Sequence, residues 1–150
     1  MTRLDFDHDG DLDVIASSLT SGVVLFRNDL ARQGRWLTLQ IQVDREQDVS
    51  SDALGTSVTL KVGDRLFYRD LQGAGGGAGG TQQSNEIHFG LGDIDQVDRM
   101  TIRFSRGIAR ELVDVPVNRR LIVSPRDRVP FRIDETPIAT AEATPQVVNE

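Results

Sequence analysis

Five carboxylates fall within nine residues near the start of the chain, at Asp5, Asp7, Asp9, Asp11 and Asp13. Charges so crowded repel one another unless a cation sits among them. Counting from Asp5, acids hold the first, third and fifth positions and Gly10 the sixth. This is the pattern by which a chain curls around a hard cation. The odd positions point inward, and glycine takes the sharp turn that a side chain would obstruct. Ca²⁺ takes six to eight oxygens at roughly 2.3–2.6 Å, and such a loop can supply most of them. An EF-hand would close with a glutamate at the twelfth position, which here is Ala16 in an apolar run. The closing acid comes early, at Asp13, and the chain then enters the β-like Val14-Ile15-Ala16. The spacing predicts a calcium loop built into a β-hairpin. An acidic surface turn without metal is the plainer alternative, and it does not require this alternation.

Other residues could carry chemistry and are better explained without it. Gly75, Gly77 and Gly80 satisfy G-x-G-x-x-G, but the residues after them are polar and then strand-like, with no helix to receive a pyrophosphate. A loop that binds no nucleotide is the reading there. His88 lacks a neighbouring nucleophile and an orienting partner in sequence, so a packed, hydrogen-bonded histidine is expected rather than a base. Asp93 and Asp95 could serve a hydrolase, and are read as a solvated turn.

Composition narrows the classes. A chain of 150 residues suits one domain or one domain with fragments. Its net charge of −6 argues against a nucleic-acid partner, which would want a basic stripe. With no cysteine, a disulfide framework, a zinc-thiolate site and a thiol nucleophile are all excluded. No run resembles a signal peptide or approaches the roughly 18–20 apolar residues of a membrane span. The acidic loop begins almost at Met1, so the chain reads as a piece of something longer.

The elements that must position the loop read as strands. Residues 12–18 and 22–28 form a hairpin about Thr20-Ser21-Gly22. Residues 35–43 alternate, with Leu37, Leu39, Ile41 and Val43 on one face and Trp36, Thr38, Gln40 and Gln42 on the other, as in a half-buried strand. Residues 55–62 and 65–71 make a second hairpin about Gly63-Asp64. Further strands are expected over 86–89, 97–104, 108–115 and 119–124, with Met100, Ile102 and Phe104 as an inward set. No window shows a helical stripe. The expected fold is all-β, a mostly antiparallel two-layer, β-sandwich-like domain with an N-terminal calcium-loop hairpin. Residues 44–52 are charged and read as mobile. From residue 125 the apolar pattern gives way to Pro, Thr, Ala and Glu, a linker or tail.

Residues 5–13 with the hairpin and Phe26-Arg27-Asn28 resemble the end of a VCBS/FG-GAP repeat, the calcium-loop unit of integrin-type β-propellers. Residues 55–123 resemble the ASPIC/UnbV domain found C-terminal to such repeats in cartilage acidic protein-like proteins. The resemblance is carried by Gly55, the glycine-rich stretch with Gln83-Ser84, His88-Phe89-Gly90-Leu91-Gly92, Val97-Asp98, Ile102-Arg103-Phe104-Ser105-Arg106-Gly107 and Val115-Pro116-Val117-Asn118. At residues 104–107 the family usually shows Trp-Pro-Ser-Gly. The implied division is a partial VCBS/FG-GAP repeat over 1–34, the ASPIC/UnbV-like domain over 35–124 and the tail over 125–150. The resemblance implies calcium ligands at Asp5, Asp7, Asp9 and Asp13 through side chains and at Asp11 through its carbonyl. A lone hairpin is marginal in water, so these strands are expected to pack on the adjoining domain or on a preceding propeller.

The expected function is a non-enzymatic, calcium-binding interaction module of a secreted or cell-surface protein, extracellular or periplasmic. The resemblance implies contact with extracellular protein or matrix, as in cell adhesion. The alternative is a carbohydrate-binding β-sandwich with structural calcium. For that, Trp36, Phe67 and Tyr68 are the available aromatics, each read first as packing.

Overall fold

The structure, a computed structural model, describes residues 1–18, 20, 22–29, 34–42, 53–71, 85–105, 107–125 and 132–133. Within them the alternating segments form strands and no helix. The all-β expectation holds. The charged stretch 44–52 and the glycine-rich stretch 73–80 lie outside the described residues, as do Gln83, Ser84 and Arg106. Residues 126–131 and 134–150, most of the stretch read as a tail, lie outside them too.

Strands β1 (Thr2–Leu4), β2 (Asp13–Ser18) and β3 (Gly22–Phe26) make a three-stranded antiparallel sheet in the order β1-β2-β3. The acidic loop joins its first two strands. β1 has no period-two signal of its own, being three residues long; pairing of Leu4 with Asp13 makes it a strand. β3 is exposed along its whole length, although its sequence, GVVLF, is apolar.

The remaining strands are β4 (Arg35–Ile41), β5 (Ser57–Val62), β6 (Arg65–Asp70), β7 (Glu86–Gly92), β8 (Gln96–Arg103), β9 (Ala109–Pro116), β10 (Arg119–Val123) and β11 (Arg132–Ile133). They build two four-stranded sheets, β11-β10-β4-β7 and β6-β5-β8-β9. Among the described residues the pairings are antiparallel except that of β10 with β4, which runs parallel with Leu121 opposite Leu39. β11 pairs with β10, inside the stretch that reads as a tail from composition.

One buried cluster joins the two sheets. Leu37, Leu39 and Ile41 of β4, with Ile87, Phe89 and Leu91 of β7, meet Val58, Leu60, Met100 and Ile102 of β5 and β8. Removing such side chains from water stabilises the fold by about 1.5–3 kcal/mol each. Two details depart from simple alternation. Along β8 the inward set steps by three residues from Val97 to Met100, and along β9 from Leu112 to Val115, where Asp114 takes φ 54°. The expected half-buried β4 is corrected as well. Trp36 and Thr38, on its second face, are 8% and 3% exposed. Polar and aromatic residues at alternate positions imitate a solvated face; here Gly10 of the N-terminal loop covers Trp36 and His88 meets the Thr38 hydroxyl.

Candidate metal centre

Asp5, Asp7 and Asp13 each offer one carboxylate oxygen, and these oxygens lie within 4.8 Å of one another. The backbone that gathers them turns twice through the left-handed region, at His8 (φ 60°) and Gly10 (φ 96°). Asp13 is 1% exposed and clasps the loop. One of its oxygens accepts the Phe6 N–H and the other the Asn28 N–H, both at 2.8 Å, so it ties the start of the loop to the end of β3. Asp5 accepts the Gly10 N–H through Oδ2 at 3.1 Å, while its Oδ1 is buried and has no hydrogen-bond partner among the described residues. Oδ1 of Asp7 is likewise buried without one. Two buried carboxylate oxygens without donors are costly for a folded chain. Burial pushes the Asp5 carboxyl up from its ordinary 3.8 to about 6, and the nearby Asp9 and Asp7 charges add to this against the Gly10 N–H and His8. Oxygen donors, orphaned and close together, suit a hard divalent cation.

Asp9 and Asp11 stand differently. Asp9 Oδ1 accepts the Asp11 N–H at 2.8 Å, a local turn that shapes the loop, and neither joins the cluster of three. Arg27, just past the end of β3, pairs with Asp29 at 2.6 Å and lies 3.9 Å from Asp7.

The loop does not hang free of the sandwich. A Cβ on Gly10 would overlap the indole of Trp36, so only a bare backbone can lie there. His8 reaches Arg120 of β10, ring Nε2 to guanidinium 3.3 Å, and Arg120 also forms an ion pair with Glu86 of β7. Trp36 is held from beneath by two stretches far away in sequence. Asn118, at φ 55°, accepts the Trp36 N–H at 3.2 Å and donates its own N–H to the Trp36 carbonyl at 2.7 Å. His88 stacks on the indole, centroids 6.3 Å apart and planes at 17°, and its Nδ1 meets the Thr38 hydroxyl at 2.9 Å. The expectation of a packed histidine is thus met.

Replacing Asn118 by alanine removes the acceptor for a part-buried N–H and puts a residue less suited than asparagine in the left-handed region. Expected destabilisation is about 1–2 kcal/mol, read as a lower urea midpoint with an unchanged slope. Asn118→Gly should recover part of it.

The other residues weighed for chemistry fall elsewhere. Asp95 pairs with Arg35 and is 78% exposed in its side chain; Asp93 is exposed. Phe67 packs against the core under the Arg65 guanidinium, 5.1 Å away, and Tyr68 is exposed. Arg120 and the Gly10–Trp36 contact were not foreseeable from spacing, since more than a hundred residues separate His8 from Arg120.

The domain is a β-sandwich with an acidic loop lying against the outer face of one sheet. The family model described as ASPIC and UnbV matches residues 46–130, more than half of the chain. The chain belongs to that family. Nothing among curated proteins or solved structures matches it. The acidic loop and β4 lie outside the matched residues, although β4 sits between β10 and β7 in the core sheet. Among the described residues no helix is long and apolar enough to cross a membrane.

Proposed function

We infer that the chain is a non-enzymatic, calcium-binding interaction module, with Asp5, Asp7 and Asp13 as the side-chain ligands. In this reading residues 1–34 are the end of a VCBS/FG-GAP repeat, Asp9 and Asp11 complete the loop, and the whole serves a secreted or cell-surface protein that contacts protein or matrix partners. The observation that carries the metal is the pair of buried, donorless oxygens on Asp5 and Asp7 beside the Asp13 carboxylate. A cation would give them the partner that the protein does not. It would also hold Gly10 over Trp36, making the loop part of one surface with the sandwich. Calcium is favoured over magnesium because the donors are carboxylates on an irregular loop, where a small ion demanding an octahedron at roughly 2.0–2.1 Å fits poorly.

Calorimetric titration tests this directly. One calcium per chain is expected, with Kd on the order of 10⁻⁴–10⁻³ M as for extracellular modules, and weaker binding of magnesium. Asp5→Asn should weaken calcium at least tenfold. No heat and no saturation with millimolar calcium would leave the loop an acidic turn.

A further inference from the structure

Between the acidic loop and the outer face of β4 and β7 lies a cleft of about 670 Å³, within the roughly 300–1,000 Å³ of small-molecule sites. Trp36, Thr38 and His88 line it from the sheet, Arg69 and Asp70 from β6, and Asp5 and Asp11 from the loop. Gly90 keeps it open. It lies opposite Trp36 in the ladder, and among the described residues a Cβ there would meet nothing within 4 Å. Among the described residues no packing demands glycine at that position, and any side chain would project from the outer face beside Trp36.

We propose that this cleft binds a neutral, polyhydroxylated ring, a sugar unit of a glycan. Its lining holds three arginines and four carboxylates, interleaved with aromatic and hydroxyl groups. A polyanion entering it would meet the carboxylates, and a cation the guanidinium groups. A hydrocarbon would desolvate both kinds of charge and satisfy neither. Sugar hydroxyls donate to carboxylates and accept from guanidinium groups. His88 contributes as an uncharged ring, since burial, and then Arg69, lower its pKa. Its Nδ1 meets the Thr38 hydroxyl, so a ligand in the cleft would be met by Nε2. The site differs from one built on exposed aromatics, because Trp36 is roofed by Gly10 and contributes through the cleft's wall.

The test uses the full chain in calcium buffer and a panel of neutral probes: glucose, galactose, mannose and N-acetylglucosamine, with inorganic phosphate as the anionic control. Trp36, the single tryptophan, reports from within the cleft by its emission. At least one sugar should give a saturable change, weakened tenfold or more by Gly90→Val, which fills the cleft while a β-branched residue suits the strand. Arg69→Ala, at an exposed position of β6, should weaken it too. Unchanged circular dichroism and melting of both variants would tie the losses to the cleft. The proposal is overturned if no sugar binds, if binding survives both substitutions, or if phosphate binds more tightly than every sugar. The loop that lines the cleft carries the proposed calcium ligands, so the two readings are told apart by their readouts: a saturable sugar response without calcium heat would sink the calcium reading alone, and calcium heat without any sugar response would sink this one alone.

Discussion

Asp13→Ala is expected to release the whole N-terminal sheet from its closed form. Its carboxylate is 1% exposed and accepts backbone N–H groups from Phe6 and Asn28. Alanine leaves both donors without an acceptor, each at about 1–3 kcal/mol, and takes one ligand from the cluster of three. Both N–H groups are part-buried, so the lower part of that range applies, and a local loss of roughly 2–4 kcal/mol corresponds to about 30- to 1,000-fold faster amide exchange. That acceleration should appear across β1, β2 and β3 and should spare β5 and β8, whose residues lie in the sandwich core. Trp36 emission should shift to the red, because Gly10 no longer covers the indole. Asp13→Asn keeps one oxygen acceptor and should fall between the two. If exchange in β1–β3 stays at its original rate, Asp13 is not the clasp that its hydrogen bonds describe.

Much of the sandwich is legible in the sequence because its strands follow period two. Leu37, Leu39 and Ile41, and Met100, Ile102 and Phe104, are buried as their alternation requires. Legibility ends where that period is broken or imitated. Val97 falls outside the alternating inward set because the buried positions step by three residues across Asp98, as they do again across Asp114. The second face of β4 looks solvated because Thr38 is polar, yet Gly10 covers Trp36 and His88 bonds Thr38. β1 and β11 are too short to carry a pattern, and pairing alone defines them. Within the candidate site, the spacing of Asp5, Asp7 and Asp13 with Gly10 points to the cluster. It gives no means of telling Asp9, which is spent on the Asp11 N–H, from the three that converge. The sharp turn assigned to Gly10 agrees with its φ of 96°. That it also lies against Trp36 depends on a tertiary contact to which local sequence is blind.

That contact explains why separate stretches of the domain serve one place. Asn118, from the turn before β10, pins the Trp36 backbone, and His88, from β7, backs the indole ring. Gly10 lies over it from the loop. Arg120 bridges His8 and Glu86 alongside. The N-terminal sheet, with its exposed β3, is thus anchored to the sandwich through its loop.

Calcium should therefore stabilise the protein, and by an amount that depends on pH in a definite direction. At about 10 mM calcium and a Kd of about 10⁻⁴–10⁻³ M, selective binding to the folded chain contributes roughly 1.4–2.7 kcal/mol. For a chain of this size the melting temperature should rise by roughly 3–10 °C at pH 7.5. Without metal, Asp5 keeps its proton to about pH 6 in the folded state, against 3.8 ordinarily, because burial penalises its charge. Between those values the folded chain binds more protons than the unfolded one, so the metal-free protein loses stability as pH rises from about 4 to 6. Calcium needs the carboxylate that the proton occupies. Its apparent affinity should consequently fall as pH drops below about 6, and the thermal gain should shrink between pH 7.5 and pH 5. In chelator, the same pH step should move the melting temperature the other way, upward toward pH 5, so far as Asp5 governs it. Asp5→Asn separates the two effects: it should cut the calcium gain at pH 7.5 by about 1 kcal/mol or more and flatten the part of the metal-free pH dependence that Asp5 carries. A calcium gain equal at pH 5 and pH 7.5 would show that Asp5 does not hand its proton over to the cation.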